Sequence, residues 1–97
     1  MPAYFIVFVE KPADQADIDE YRRLAMPSLA GRDLKFHTRP DCEVLTLEGD
    51  EVDVVVMIEF PSVADARDWY TSEAYQSAVK LRHGTAKSRA VIVEKLP

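Results

Sequence analysis

Two predicted strands of this chain are apolar in both alternating phases over much of their length. They cover Ala3–Glu10 (AYFIVFVE) and Val52–Phe60 (VDVVVMIEF). A strand covered on one face alternates apolar and polar residues, whereas a strand covered on both faces is apolar throughout. Each of these strands therefore needs shelter on both sides. The two phases of the first strand are Phe5, Val7 and Val9, against Tyr4, Ile6 and Phe8.

The segment after the first strand has the pattern of an amphipathic helix. Residues 14–30 place apolar side chains at intervals of three and four, with charged residues on the remaining arc. Pro27 lacks a backbone donor and clashes with the preceding turn, so we expect the helix to kink or end near Met26. Gly31 then closes it. The apolar stripe is Ile18, Tyr21, Leu24, Ala25 and Leu29.

The middle of the chain has the pattern of a further strand. Residues 34–39 and 43–48 are expected to form one long or interrupted strand, broken around Pro40 because proline cannot donate to a strand ladder. An edge position in the sheet suits such a strand. A turn at residues 48–51 then leads into the strand Val52–Phe60.

A second helical segment and a last strand complete the pattern. Ser62 followed by Asp65 resembles a capping box, and a helical face continues to Gly84, with a permitted break at Thr71 and Ser72. Residues 88–95 are rich in β-branched residues and form the last strand. The predicted order βαββαβ is that of a ferredoxin-like α+β fold with a four-stranded antiparallel sheet.

The two predicted helices can cover only one face of that sheet. The other face would then expose a contiguous apolar patch larger than soluble monomers tolerate. A second copy packed sheet against sheet would cover it and would bury roughly 800 Å² or more per partner, the size of a stable interface. The sequence therefore predicts a homodimer that associates through the sheet face.

Composition limits the class of protein further. A chain of 97 residues, with 47% apolar and 30% charged residues, is expected to form one globular domain over residues 1–97. A net charge of -5 argues against nucleic acid as a partner. The chain has no apolar run long enough to span a bilayer and no secretory signal pattern, so we expect no membrane partner and a cytoplasmic location. Cys42 is the only cysteine, which excludes an internal disulfide.

The stretch from Glu59 to Arg82 (EFPSVADARDWYTSEAYQSAVKLR) resembles the signature of the domain-of-unknown-function family thirteen-thirty, in the dimeric α/β-barrel superfamily. The opening strand, Tyr21, Pro27 and the final SRAVIVE strand also fit that family, and Arg39 corresponds to an arginine that members carry in a strand. The resemblance implies a ferredoxin-like subunit whose sheet packs on its mate to form a barrel. It implies no reaction, since superfamily relatives include cofactor-independent monooxygenases, haem-degrading enzymes, isomerases and proteins without known activity.

Glu59 is a candidate functional carboxylate. It shares its strand phase with Val55 and Met57, so it is expected to project beside apolar surface, where its pKa would rise and it could act as a base. The alternative is a structural ion pair near the strand end, with Arg39 or Arg89 as the partner.

Aromatic residues gather near the break in the second helical segment. Trp69, Tyr70 and Tyr75 carry indole and phenol donors that could orient a small aromatic or carbonyl ligand. The alternative is that they are simply core residues. Trp69 and Tyr70 are adjacent and cannot both face inward from one helix, so at least one is expected at a rim, an interface or the surface.

Arg82 follows Tyr75 by seven residues and belongs to the same helical face. Its guanidinium could bind a substrate carboxylate in a bidentate manner. The alternative is a structural clamp on the end of the helix before Gly84, or on Glu73 or Glu59.

The chain has two histidines, His37 and His83, and neither belongs to a metal-binding or catalytic spacing. We therefore expect no metal and no cofactor. Two functional hypotheses remain. One is a small-molecule-binding dimer with a pocket between helices and sheet, which in the finer form of the hypothesis is a cofactor-independent enzyme acting on a small carbonyl or aromatic compound. The other is a non-enzymatic interaction or structural module. The candidate pocket residues are Tyr21, Arg39, Glu59, Trp69, Tyr75 and Arg82.

Overall fold

The computed structural model describes residues 1–10, 14–85 and 87–97, which contain four strands and three helices. The strands form one antiparallel sheet in the order β2-β3-β1-β4, which confirms the predicted ferredoxin-like topology. No helix in the described part of the chain is long and apolar enough to cross a membrane. The elements are β1 (Ala3–Glu10), α1 (Gln15–Ser28), β2 (Lys35–Phe36), β3 (Val52–Phe60), α2 (Val63–Tyr70), α3 (Glu73–Thr85) and β4 (Ser88–Glu94).

The strand register separates the sheet into two faces. Phe5 of β1 pairs with Ile58 of β3 and with Ile92 of β4, so these side chains project to the same side. This side is covered by the helices, and the β1 residues on it are buried. The pattern follows from the period of two along a strand, because each second residue returns to the same face.

The other side of the sheet has no helix over it among the described elements and is called the open face. Its β1 residues are half-buried, while Val91 and Val93 of β4 are 46% and 47% exposed. Both phases of β1 are apolar, as the sequence indicates, yet only one phase is buried within the chain. The open face comprises Tyr4, Ile6, Phe8, Val55, Met57, Glu59, Arg89, Val91 and Val93.

Helix α1 begins where the side chain of Asp14 accepts hydrogen bonds from two backbone amides of the first turn. The helix continues through Pro27 and ends at Ser28, so the expected end near Met26 is wrong by about half a turn. Pro27 is tolerated because it lies in the last turn, where Leu29 N–H donates to the Met26 carbonyl at 3.1 Å and tightens the helix end. Gly31 closes the segment at a φ of 76°.

The predicted second strand is much shorter than expected. Strand β2 contains only Lys35 and Phe36, and residues 43–48 form no strand. Beyond β2, the Thr38 hydroxyl replaces the ladder, because it donates to the Val55 carbonyl at 2.8 Å and accepts from Met57 N–H at 2.9 Å. Beyond the turn at Pro40, residues 43–48 pair with no strand of the described residues, and the Thr46 hydroxyl accepts a hydrogen bond from Val52 N–H at 3.0 Å.

The second helical segment is divided at Thr71 and Ser72, as the sequence permits. The Ser72 hydroxyl donates to the Trp69 carbonyl at 2.6 Å and accepts from Tyr75 N–H at 3.3 Å, so one side chain ends α2 and opens α3. The break allows Trp69 and Tyr75 to face the core together, at 1% and 0% exposure. Tyr70 is half-buried, in agreement with the expectation that it and Trp69 cannot both face inward.

A buried hydrogen bond connects α1 to α2 beside this core. The Trp69 indole N–H donates to the Ser28 hydroxyl at 3.0 Å, and that hydroxyl donates to the Ala25 carbonyl. The Ser28 hydroxyl therefore supplies the acceptor that the buried indole N–H of Trp69 needs.

Replacing this hydroxyl should destabilise the fold. We expect Ser28→Ala to lower the free energy of unfolding by about 1–3 kcal/mol, because the Trp69 indole N–H stays buried without its acceptor. In a Trp69→Phe background the same change should cost about 1 kcal/mol less. Urea denaturation at a fixed protomer concentration measures both costs. Equal costs in the two backgrounds would show that the bond between Trp69 and Ser28 contributes nothing.

Candidate functional site

A cavity of about 260 Å³ lies between the covered face of the sheet and the helices. Its floor is apolar and comes from β1 and β3, where Val7 and Ile58 are buried. Its roof includes Ala25 and Leu29 of α1. The large apolar residues of the lining that are most open to solvent, Met26 at 51% and Phe36 at 37% exposure, mark the mouth between α1 and the segment that follows β2.

The inner end of the cavity is polar. The hydroxyl oxygens of Tyr21 and Tyr75 are 2.5 Å apart and share a hydrogen bond between α1 and α3. The Arg82 side chain lies beside them at 1% exposure, with its guanidinium carbon 5.8 Å from the centre of the Tyr21 ring. One of its nitrogens donates to the Ser88 hydroxyl of β4 at 3.1 Å. This end therefore places two phenols and one cation together in a water-poor setting.

Burial keeps both phenols protonated. It raises the pKa of Tyr75 far above its usual value, and the neighbouring Tyr21 adds to that effect. Burial also raises the pKa of Tyr21, although the hydrogen bond with Tyr75 and the charge of Arg82 act in the opposite direction. At neutral pH the pair is therefore a source of hydrogen-bond donors and not of phenolate.

Trp69 forms the aromatic wall of the cavity. Its ring centre lies 4.0 Å from that of Tyr75 and stacks on Phe60 at 5.4 Å, while Phe5 meets it edge-on at 4.9 Å. Such a cluster is held in one arrangement by its ring packing. The wall is therefore rigid, and the single tryptophan of the chain faces the cavity.

Five of the six predicted pocket residues line this one cavity. Tyr21, Tyr75 and Arg82 form its inner end, Trp69 forms its wall, and Arg39 lies at its rim. The Arg39 side chain is 75% exposed and forms an ion pair with Asp41 at 3.4 Å. Arg82 is held in part by β4, where one of its nitrogens donates to the Ser88 hydroxyl.

Glu59 is not in the cavity, so its predicted place there is wrong. Its strand phase points to the open face, where its carboxylate is 2.7 Å from His37 Nε2 and 3.3 Å from Lys95 Nζ. The hydrogen bond with His37, together with Lys95, lowers the pKa of Glu59, whereas the sequence led us to expect a raised value. The predicted ion pair near the strand end is present, but the partners of Glu59 are His37 and Lys95 and not the expected arginines.

Sequence reasoning missed two features of the lining. Arg22 lines the cavity although its helical arc looked solvated, and Ser28 supports Trp69 from behind. Arg22 falls on a stripe with Ile18, Ala25 and Leu29 at spacings of four, three and four, and that spacing could have identified it. The Ser28 contact spans 41 residues along the chain, and no local pattern signals it.

The contacts of Glu59 with His37 and Lys95 predict how the stability of the folded protein changes at low pH. Because its folded-state pKa lies below the usual value of about 4.3, the unfolded chain takes up the proton first as pH falls. The stabilisation is present above about pH 5 and is lost on going below about pH 4. We expect Glu59→Gln to destabilise the protein at pH 7, and the difference from the parent chain to shrink towards pH 3.

Urea denaturation at several pH values, at one protomer concentration, measures this difference. Glu48→Gln is a matched control because Glu48 is exposed at the tip of a turn. A Glu59→Gln difference that stays constant from pH 7 to pH 3 would contradict the assigned cause.

The sheet topology and the position of the cavity define the class of protein. This is a ferredoxin-like α+β protein with an apolar cavity between its helices and its sheet. The model of the family described as Domain of unknown function (DUF1330) matches residues 2–96, and the chain belongs to that family. No curated protein matches the chain.

Several solved structures share the fold. RPA0582 of Rhodopseudomonas palustris, a protein of unknown function, is 21% identical with a TM-score of 0.75, over 99% of this chain and 83% of that one. A dimeric ferredoxin-like protein of Bacteroides fragilis is 13% identical with a TM-score of 0.63, over 97% and 96% of the two chains. SnoaB of Streptomyces nogalater, described as a cofactor-independent oxygenase, is 9% identical with a TM-score of 0.62, over 99% and 93%. At such identities the likeness concerns the fold alone.

Proposed function

We propose that this protein is a cytoplasmic homodimer of single-domain subunits, each of which binds a small and largely apolar molecule in its cavity. The observation that carries the proposal is the cavity itself, with apolar walls and three polar groups converging at its inner end. Ligand sites typically have this composition, with a few placed polar groups that fix the orientation of the ligand. A filled core beside Trp69 would instead have favoured a structural module.

Self-association is supported by the open face. Its apolar residues come from β1, β3 and β4 and continue across three adjacent strands. A second copy is the proposed cover because the contact is self-complementary under two-fold symmetry. The relative from Bacteroides fragilis is described as dimeric, in agreement with this proposal.

A cofactor-independent enzyme is the finer form of the proposal. SnoaB shares the fold and is described as a cofactor-independent oxygenase. In the present chain, the Tyr75 hydroxyl and the Arg82 guanidinium would stabilise negative charge that develops on the oxygen of a small carbonyl or aromatic compound. Conversion of a bound compound, followed by mass spectrometry, separates an enzyme from a binding protein.

Ligand binding should change the fluorescence of the single tryptophan, because Trp69 forms one wall of the cavity. We expect saturable changes during titration with members of a panel of small carboxylates, phenols and quinones. Ala25→Leu projects extra volume into the cavity and should weaken binding by about 10-fold or more. Fluorescence titration of the folded variant measures the loss.

Ala74→Leu is the matched control, since Ala74 is exposed on α3. It should bind with the affinity of the parent chain. A panel in which no compound changes the fluorescence or the melting temperature would contradict the binding function. Equal weakening by the two substitutions would show that the cavity is not the binding site.

The dimer should be visible as twice the chain mass of 11.0 kDa in static light scattering. Val91→Glu places a carboxylate on the open face, and symmetry brings two such charges into one interface. Burying an unpaired charge is costly, so the dimer should weaken by about 100-fold or more. Sedimentation at several protomer concentrations measures the change.

Met26→Glu is the matched control. Met26 is an apolar residue on the helical side of the sheet, and its exposure of 51% is close to the 46% of Val91. This substitution should leave the association unchanged. A parent chain that remains a monomer at micromolar concentration, or a dimer that Val91→Glu does not weaken, would contradict association through the open face.

A further inference from the structure

The charged side chains that line the cavity are all of one sign, although Arg39 at the rim is also paired with Asp41. Arg22 of α1, Arg39 of the segment after β2 and Arg82 of α3 reach the lining from three separate parts of the fold. The described lining contains no aspartate or glutamate. Since the chain carries 17 acidic residues against 12 basic ones, this local excess of positive charge runs against its composition. Such a site attracts anions.

The inner end can donate hydrogen bonds. Two phenol hydroxyls carry two hydrogens, and one of these lies in the bond between Tyr21 and Tyr75. The hydrogen of the second hydroxyl can therefore point to a ligand. The Arg82 guanidinium beside the pair carries several N–H groups in a planar fork and cannot itself accept a hydrogen bond. A ligand group placed here must accept hydrogen bonds, and a carboxylate accepts them on both of its oxygens.

The remainder of the cavity selects the body of the ligand. From the phenols to the mouth at Met26 and Phe36 the walls are aliphatic or aromatic. The volume of about 260 Å³ lies just below the range of about 300–1,000 Å³ that is usual for drug-sized ligands. One ring or a short aliphatic chain fills such a space. A sugar or a nucleotide would leave its polar groups without partners against these walls.

Resting on the binding function proposed above, we propose that the ligand is a small apolar monocarboxylic acid whose carboxylate binds at the inner end, to the Arg82 guanidinium and a tyrosine hydroxyl. Arg82 is 1% exposed, so an ionic hydrogen bond formed there is poorly screened by water. The body of the acid extends towards the mouth along Trp69 and Ile58. Arg22, near the mouth, attracts the anion as it enters.

The test compares acids with their amides, which have the same shape but no charge. Phenylacetate and phenylacetamide, 4-methylbenzoate and 4-methylbenzamide, and hexanoate and hexanamide are titrated against the parent protein with Trp69 fluorescence as the readout. An ionic hydrogen bond of ordinary strength corresponds to a preference of about 10- to 100-fold for the acid. We expect that preference in at least one pair.

Variants locate the carboxylate. Arg82→Gln should abolish the preference for the acid, and Arg82→Lys should retain only part of it, because an ammonium lacks the planar fork. Tyr75→Phe should reduce the affinity for the acid more than that for the amide. Arg67→Gln is the matched control, since Arg67 is exposed on α2, and it should leave both affinities unchanged. If Arg82→Gln does not fold, Arg82→Lys and Tyr75→Phe carry the test.

The outcomes separate this inference from the proposed function. Amides that bind as tightly as acids in every pair would overturn the acid ligand while leaving the binding function in place. A preference for acids that survives both Arg82→Lys and Tyr75→Phe in full would overturn the inner end as the carboxylate site. If neither acids, amides nor the wider panel bind, the binding function fails and this inference fails with it.

Discussion

Strand β1 lies between two neighbouring strands and has apolar side chains on both faces of the sheet, and this is the constraint on which the rest of the structure depends. The strand pairs with β3 along one edge and with β4 along the other, so its backbone groups are satisfied within the sheet. Its side chains are apolar in both phases, and the helices shelter only the phase that contains Phe5, Val7 and Val9. The layer order of the subunit and the need for a cover on the open face both follow from this one strand.

The cavity exists because α1 packs chiefly against α3 and only lightly against the sheet. The contact between α1 and α3 includes the bond between the Tyr21 and Tyr75 hydroxyls, and the bond from Trp69 to Ser28 holds the end of α1 to α2. These two polar bonds anchor the helix at points beside the cavity. Side chains as small as Ala25 on α1 then leave the space above β3 unfilled. Interiors are normally packed to a density that leaves few such voids, so the space is a specific property of this helix arrangement.

The sequence predicted the element order and the sheet because both depend on local periodicity, whereas Arg39 was identified through the resemblance to the family. Tyr21 and Arg82 were identified from helical spacing, which also fixes the side of the helix on which they lie. Glu59 was misplaced although its strand phase was read correctly, because its phase belongs to the open face and the pocket belongs to the other one. The strand at residues 43–48 failed for a different reason. Its residues have β propensity, but Leu45 and Leu47 are 78% and 84% exposed and no strand in the described part of the chain pairs with them.

The two faces of the sheet are separated by a single backbone layer, and this couples the proposed dimer to the proposed site. Val54, Val56 and Ile58 line the cavity from β3, while Val55 and Met57 between them project to the open face. A partner packed on Val55 and Met57 would restrict the same backbone that carries the cavity floor. Restricting the floor before the ligand arrives lowers the entropy lost on binding. Under the two proposals, the apolar character of both phases of β3 would serve assembly and ligand binding together, one phase for each.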